Sequence, residues 1–334
     1  MTPNETPSKF QRQLDARHMQ IFEKLAAQSA PHWWKDLLGL WRPSGIEAGV
    51  FGLRLAIRNG YLNFYRRGQS IARVVIDSQG VPTVTTHIKY LGLNLDSGQD
   101  KQYGKLQNNQ VQWKLADGAT TSKIYRGVDD LKAWIAITAT HAGPEKSFVD
   151  ELVTANSNII DLEMGLPAWG DVATAPRMDI VAVESTSSGR SLVFWEAKLE
   201  GDGRMRIGKK SKQSEEICPP KVWGQLEQYR KYLSVEEHRE VVADAYRSAA
   251  DILVELRGMA NKLGENFPLG EEILAAAVDA KLGVNKNPRL VVLLNKERKD
   301  WTQQKQMLRK DDDGNCIFIQ DIEISGPFEL RAPT

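Results

Sequence analysis

Asp179, Glu196 and Lys198 are the residues of this sequence whose types and spacing could do chemistry. Asp179 lies in the apolar segment 177–183, and the other two lie in the segment 192–198. Turn-forming residues join the two segments, and this pattern predicts a β-hairpin. Carboxylates on facing strands can hold a divalent cation, and a lysine beside them can act on a bound water. The pattern therefore predicts a metal site with an adjacent ammonium group.

The register of this hairpin decides whether the two carboxylates meet. If Glu184 opposes Ser191 across the loop, counting back places Asp179 directly opposite Glu196. Lys198 then points to the same face of the sheet, because side chains alternate along a strand. Two like charges with Cβ atoms about 5 Å apart destabilise a strand pair. A cation held between the carboxylates would remove that penalty.

Length and composition describe an ordinary globular protein. The chain has 334 residues, 41% hydrophobic and 26% charged, a length that suggests two domains. No apolar run reaches the roughly 18 residues of a membrane span, and the polar start lacks the apolar core of a signal peptide. With two cysteines, a cytoplasmic location is expected. The net charge of +1 restricts any nucleic-acid binding to local patches.

The first part of the chain predicts helices followed by an antiparallel sheet. Apolar periodicity favours helices over 8–28 and 31–41. The pattern becomes β-rich over 52–118, where Asn59-Gly60 is typical of a two-residue hairpin turn. We therefore expect an α+β domain here, with a role in selecting a substrate or partner.

The second part of the chain predicts an α/β domain. Gly143-Pro144 ends one helix and opens the next, so we place the domain boundary between 1–142 and 143–334. Apolar residues on both faces of the central hairpin indicate a sheet that is covered on both sides. A carboxylate pair within such strands is costly unless it is compensated.

Together these residues resemble the PD-(D/E)XK nuclease superfamily, whose restriction-endonuclease-like fold has a mixed central sheet flanked by helices. The matching residues are Asp179, then Glu196-Ala197-Lys198 after a hairpin, and the pair Gln225 and Tyr229 in a Gln-x-x-x-Tyr pattern on the following helix. The resemblance covers roughly residues 144–300, and residues 1–140 match no family that we recognise. One departure is that Pro176 stands three residues before the aspartate rather than next to it.

The resemblance implies a Mg²⁺-dependent nuclease, with DNA as the expected substrate and restriction, phage defence or repair as the expected context. Mn²⁺ is expected to substitute for Mg²⁺. Asp179, Glu196 and the carbonyl of Ala197 would hold the metal, and Lys198 would position or help deprotonate the attacking water. Whether one or two metals act is left open.

Glu145 is the position that matches the glutamate which the first helix of the superfamily often adds to the metal site. It shares a helical stripe with Phe148, Val149 and Leu152, so it should lie on the buried side. An acid in the first turn of a helix also stabilises the helix dipole, which is the alternative role for this residue.

Gln225 and Tyr229 lie one helical turn apart, so both can face the site. We expect them to orient the substrate or Lys198 rather than take part in bond making. The alternative is a helix that packs its tyrosine into the core.

A basic loop after the second strand of the hairpin could hold the nucleic-acid backbone. Its five cations are interleaved with glycines: Arg204, Arg206, Lys209, Lys210 and Lys212. Mobile cations there would sit beside the scissile phosphate. Similarity to superfamily members with an arginine soon after the Glu-x-Lys strand favours Arg204 and Arg206, and a solvated flexible loop is the alternative.

A second candidate surface lies on the N-terminal hairpin. Its turn predicts that Arg58 pairs with Tyr61, and Arg54 with Tyr65, all on one face. Such a face suits phosphate contact and base stacking, and it suits a protein interface equally well. The absence of acidic residues from 48–76 favours nucleic acid.

Other catalytic classes find little support in the sequence. The five histidines show no metal-ligand spacing, and no phosphate-binding loop, nucleophile elbow or dinucleotide fingerprint is present. The alternatives to an active nuclease are a catalytically silent nucleic-acid-binding or assembly subunit that retains the fold, and an effector subunit that is active only with partners. Expected partners are DNA and either a second copy of the chain or other defence or repair subunits, with no membrane.

Overall fold

Strands from the two halves of the chain form two separate sheets in the computed structural model. The structure describes residues 10–93, 102–167, 177–187, 189–206, 208–209, 217–294, 301–310 and 314–333. Its helices are α1 (Ala16–Ala27), α2 (Trp33–Leu40), α3 (Val128–Ala139), α4 (Pro144–Ala155), α5 (Lys221–Ser234), α6 (Glu236–Lys262), α7 (Glu271–Val278) and α8 (Trp301–Leu308). None of these described helices is both long and apolar enough to cross a bilayer.

The N-terminal sheet is a seven-stranded antiparallel meander, with its strands side by side in chain order. The strands are β1 (Arg54–Arg58), β2 (Tyr61–Arg66), β3 (Gln69–Ile76), β4 (Pro82–His87), β5 (Tyr103–Gln107), β6 (Gln110–Lys114) and β7 (Thr120–Ile124). Gly60 takes a φ of 75° at the predicted turn. The predicted register is confirmed, because Arg54 pairs with Tyr65 and Arg58 with Tyr61.

The second sheet is mixed. Its strands are β8 (Ile159–Gly165), β9 (Arg177–Thr186), β10 (Gly189–Leu199), β13 (Gly283–Val284), β14 (Arg289–Leu294) and β15 (Ile319–Glu323), while β11 (Gly208–Lys209) and β12 (Ile217–Cys218) form a small separate pair. The order across the sheet is β15-β14-β10-β9-β8, with β13 also pairing with β10. β8, β9 and β10 are antiparallel, whereas β14 and β15 run parallel to β10 and to each other. The chain is thus mixed α/β.

Helices and apolar side chains cover both faces of the second sheet, as its sequence pattern predicts. Val181 and Phe194 lie in the larger core, together with apolar residues of α5, α6 and α7. Ile180 and Trp195, their neighbours along the strands, lie in a smaller core with the apolar face of α4. The hairpin is therefore held between two packed layers, which limits its freedom to move.

The two halves of the chain are joined by packing and by buried charge. The larger core runs from Phe10 through the N-terminal sheet to α6 and β14 without a break. Arg12 and Arg58 both bond the carboxylate of Asp161 on β8, which also accepts from the hydroxyl of Tyr246. Burial would raise the pKa of Asp161, but the two guanidinium groups hold it below its usual range.

The first helix begins later than the sequence predicts. The helix expected over 8–28 starts at Ala16, because the Asp15 side chain accepts a hydrogen bond of 2.7 Å from the backbone N–H of His18 and caps the helix there. Residues 10–14, before this cap, have no regular secondary structure, and Arg12 among them bonds Asp161.

Candidate active site

The strands β9 and β10 part from each other at Asp179 and Glu196. The predicted register is confirmed where Glu184 pairs with Ser191, and main-chain pairing stops one residue short of the two acids. Beyond that point the backbone N–H of Ala197 donates to Asp179 Oδ2 at 3.0 Å, so a carboxylate takes the place of a main-chain carbonyl. The parting of the strands makes room for charged side chains inside the sheet.

The parting also separates two cations that an unbroken hairpin would bring together. Counting along the predicted register sets Arg177 opposite Lys198. In the structure Arg177 pairs with Gly165 of β8, and Lys198 pairs with Val292 of β14. These pairings use the outer edges of β9 and β10, and pairing between the two strands ends at Ile180 and Trp195, so Arg177 and Lys198 are not paired with each other.

Lys198 Nζ lies where the predicted metal ligands come together. The ammonium contacts Glu196 Oε1, donates to the carbonyl of Ala197 at 2.9 Å, and lies 3.8 Å from both Asp179 Oδ2 and Glu145 Oε1. The lysine side chain is fully buried. The structure therefore gathers three carboxylates and one carbonyl around a single cationic nitrogen.

Glu145 reaches this cluster from the first turn of α4. Gly143 precedes the helix and Pro144 opens it, which is the predicted start. Glu145 Oε2 accepts a hydrogen bond of 2.6 Å from Arg204 Nη2, so the carboxylate lies between Arg204 and Lys198. Burial raises the pKa of Glu145, and the two cations act in the opposite direction.

Lys146 and Glu163 extend the cluster, although neither is among the predicted site residues. Glu163 lies opposite Asp179, because the residues on either side of it in β8 pair in register with β9. Lys146 Nζ contacts Glu163 Oε1 and lies 3.5 Å from Asp179 Oδ1. The Glu163 backbone is left-handed, with a φ of 51°, which costs a non-glycine residue about 1–2 kcal/mol. The ion pair of the Glu163 side chain with Lys146, and the pairing of its neighbours Leu162 and Met164 with β9, hold this conformation.

Gln225 and Tyr229 hold the backbone that leads into Asp179. Gln225 Nε2 donates to the carbonyl of Arg177 at 2.7 Å. The Tyr229 hydroxyl donates to the carbonyl of Met164 at 2.6 Å and accepts from the backbone N–H of Met178 at 2.7 Å. The helix thus packs its tyrosine into the core and also fixes the two strands beside the site.

Replacing Tyr229 with phenylalanine should lower the free energy of unfolding by about 1–3 kcal/mol, because a buried N–H and a buried carbonyl lose their bridge. Denaturant unfolding would measure the loss. Tyr90→Phe is the matched control, since its hydroxyl bonds only one partly exposed side chain acceptor, that of Gln69, in the described residues. Equal losses in the two variants would contradict a special role for the Tyr229 bridge.

The carboxylates outnumber the cations in this cluster. The acids are Glu145, Glu163, Asp179, Glu196 and Asp202, and the bases are Lys146, Lys198 and Arg204. Burial, and then the Asp179 carboxylate, raise the pKa of Glu196 to about 8, although Lys198 acts to lower it. The shortage of cations thus falls on a buried carboxyl group, which keeps its proton to a higher pH than an ordinary glutamate.

The donor set fits a divalent cation in charge and in ligand type. Glu196 Oε2 is buried and finds no hydrogen-bond partner among the described residues. Carboxylate and carbonyl oxygens are the ligands that Mg²⁺ prefers. As they stand, no three His, Cys, Asp or Glu side chains of the described residues converge closely enough to hold a metal ion. The Lys198 ammonium occupies the centre of the cluster, so a bound cation would require it to move aside.

The basic loop after β10 is described only in its first part. Arg204 and Arg206 are exposed, and Arg204 is bound to Glu145 and to Asp202. Lys209 lies in β11, but its side chain lies outside the described residues, as do Lys210 and Lys212. Of the predicted phosphate contacts, Arg204 therefore lies beside the site, where it forms ion pairs with two carboxylates of the cluster.

The arginines of the N-terminal hairpin make structural contacts. Arg54 is buried and donates to the carbonyls of Arg42, Pro43 and Ile46 as well as to Thr154 Oγ1. Arg58 is the buried partner of Asp161 described above. Of the predicted aromatic partners, Tyr65 is also buried, whereas Tyr61 is partly exposed.

The partners that bury Arg54 and Arg58 could not be predicted from local sequence patterns. Asp150 and Asp161, the acidic partners of Arg54 and Arg58, lie about a hundred residues further along the chain. The signal for Lys146 was present, because it directly follows Glu145 on the helix. Glu163 could be found only once the pairing of β8 with β9 was known.

Comparison with protein-family models found no match for this chain. Comparisons with curated proteins and with solved structures likewise found no match. The function has to be inferred from the site itself.

Proposed function

We propose that this chain is a Mg²⁺-dependent nuclease with a PD-(D/E)XK-type active site in a restriction-endonuclease-like domain, and that its substrate is DNA. The observation that carries the proposal is the convergence of Glu145, Asp179, Glu196 and the Ala197 carbonyl on Lys198 Nζ. A simple structural ion pair needs one acid for one lysine. The five acids of the cluster exceed its three cations, and buried carboxylates without enough positive charge are costly.

The proposed reaction is hydrolysis of a phosphodiester. The oxygen of water forms a bond to phosphorus, the bond from phosphorus to the leaving sugar oxygen breaks, and that oxygen gains a proton. A divalent cation held by Asp179, Glu196 and Ala197 O would lower the pKa of bound water and offset charge on the phosphate. Lys198 would hold the attacking water and stabilise the negative charge that develops on the phosphate oxygens.

Arg204 and Glu145 have supporting roles in this proposal. Arg204 is exposed enough to meet a phosphate and lies 2.6 Å from the Glu145 carboxylate. An ionised guanidinium suits phosphate oxygens, because it donates in a planar fork. Glu145 holds that guanidinium beside the site and adds a third carboxylate to the cluster.

Cleavage of plasmid and of circular single-stranded DNA tests the proposal. We expect Mg²⁺ or Mn²⁺ to permit cutting by the purified chain and EDTA to abolish it. Asp179→Asn should remove the activity, which controls for contaminating nucleases. DNA binding without cutting in any metal would instead support the catalytically silent alternative.

The pH dependence of metal affinity is a separate prediction. The metal binds ionised Glu196, so affinity should rise with pH while the carboxyl group loses its proton and level off above its pKa of about 8. Apparent Mn²⁺ affinity should therefore be several-fold higher at pH 8.5 than at pH 6.5. Calorimetric titration would measure it. Glu196→Gln should flatten the profile, and an equally steep profile in that variant would contradict the assignment.

A further inference from the structure

A polar cleft of about 680 Å³ lies between the N-terminal sheet and the strands that carry the acids. The sheet contributes Tyr61, Arg73 and Tyr103 to its lining, and β8 and β9 contribute Glu163 and Arg177. This volume falls in the range of roughly 300–1,000 Å³ that small-ligand sites occupy. The cleft thus has the size for one or two nucleotides.

Aromatic rings in the cleft are open to a ligand. Arg73 lies over the ring of Tyr61, with its guanidinium carbon 4.0 Å from the ring centroid. Tyr103 is 62% exposed, and its ring centroid lies 4.9 Å from that of His87. Nucleobases stack on rings and on guanidinium planes of this kind whatever their sequence. The sheet therefore presents two stacking platforms.

Charge in the cleft favours a phosphate backbone. Arg73 and Arg177 are exposed, and neither has a carboxylate partner among the described residues. Glu163 is the one acid among the described residues of the lining, and it is already paired with Lys146. Phosphate oxygens entering between the two arginines would meet cations without a matching acid.

The cleft lies next to the candidate active site. Glu163 lies opposite Asp179 across β8 and β9, so the end of the cleft adjoins the acids. Gly68, in the turn between β2 and β3, packs closely against Lys146 of the cluster. A Cβ added at residue 68 would lie 2.5 Å from Lys146 Cδ. The cleft and the acidic cluster therefore meet at Glu163.

We propose that this cleft binds an unpaired segment of nucleic acid and passes it to the acidic cluster, so that the substrate is single-stranded or locally unpaired. The bases of a duplex are stacked and paired within it, and they could reach the rings of Tyr61 and Tyr103 only after leaving the helix. The delivery step rests on the proposed nuclease function, whereas the binding step does not.

Fluorescence anisotropy with a labelled twelve-nucleotide oligothymidine tests the binding step. The titration is done in EDTA, so that cleavage does not contribute, with an oligouridine of equal length and a duplex of equal length in parallel. We expect either single strand to bind more tightly than the duplex. Tyr61→Ala and Arg73→Ala should each weaken single-strand affinity at least about tenfold, as loss of a stacking platform does elsewhere.

Two further variants make the result specific. Tyr61→Phe keeps the ring and should bind nearly as well as the unmodified chain. Lys123→Ala removes an exposed cation of the same sheet that does not line the cleft, and it should change affinity less than twofold. Photocrosslinking of a bromouridine-substituted single strand to the unmodified chain, with peptide mapping, does not depend on the folding of any variant. Crosslinks on β2 or β5 are expected.

The proposal would be overturned by equal binding of duplex and single strand, or by unchanged affinity in folded Tyr61→Ala and Arg73→Ala. It would also be overturned by no nucleic-acid binding at all, which would favour a protein partner for this face. Failure of the nuclease function looks different, because single strands would then bind and crosslink in the cleft but remain uncut in Mg²⁺ or Mn²⁺.

Discussion

Replacing Lys198 with alanine is expected to lower the rate of Mg²⁺-dependent DNA cleavage by about 10³-fold, the usual scale for a group that handles a proton or stabilises transition-state charge. Lys198 Nζ is the one cation among the described residues that contacts Glu196 and also lies near Asp179. Without it, no other cation of the described residues lies at the centre of the cluster to hold the attacking water or to stabilise the negative charge on the phosphate. Single-turnover cleavage of plasmid DNA would measure the loss.

The cause of that loss can be separated from loss of the metal. Mn²⁺ binding by calorimetry should persist in Lys198→Ala, because the ammonium competes with a cation for the same oxygens. Lys231→Ala is the control, since that lysine forms only a surface ion pair with Glu227 in the described residues. Cleavage by Lys198→Ala at more than about a third of the control rate would contradict a catalytic role.

Replacing Asp161 with alanine is expected to lower the free energy of unfolding by about 3–5 kcal/mol, the range for breaking a buried ion pair from one side. The change leaves Arg12 and Arg58 buried without their carboxylate, and it also removes the acceptor of the Tyr246 hydroxyl. Thermal or denaturant unfolding would measure it. Because this network ties β8 to the N-terminal sheet, the cleft should also lose its shape.

A surface ion pair provides the comparison for Asp161. Asp244 pairs with Arg247 one turn along α6 and is largely exposed. Asp244→Ala should cost less than about 1 kcal/mol. A loss of that size in Asp161→Ala would mean that the buried network contributes little. The pKa of Asp161 is held low, so its contribution should be present above the ordinary aspartate pKa and fade as the pH falls through the lowered value.

Local sequence signals were enough to predict the centre of the site. The turn between β9 and β10 sets the register, and alternation along the strands then fixes which side chains share a face. The same reasoning predicted the pairing of β1 with β2 from a two-residue turn. Glu145 could be placed because the apolar stripe of α4 has a clear helical period.

Contacts between distant segments could not be predicted in this way. The side chains of Arg54 and Arg58 share the predicted face of their hairpin, but partners from the other half of the chain bury them. Glu163 depends on a strand that joins the hairpin with a register shift, and such a shift leaves no turn signal in the sequence. Tyr61, Arg73 and Tyr103 come together in the cleft only when their strands of the N-terminal sheet are assembled, and Arg177 joins them from β9 of the second sheet.

The most direct test of a divalent cation at this cluster is an anomalous difference map from a crystal of the chain grown with Mn²⁺. We expect a strong peak among the oxygens of Asp179, Glu196 and Ala197, with Lys198 Nζ displaced from their centre. A map without a peak there at saturating Mn²⁺, in which Lys198 keeps its present contacts, would contradict it.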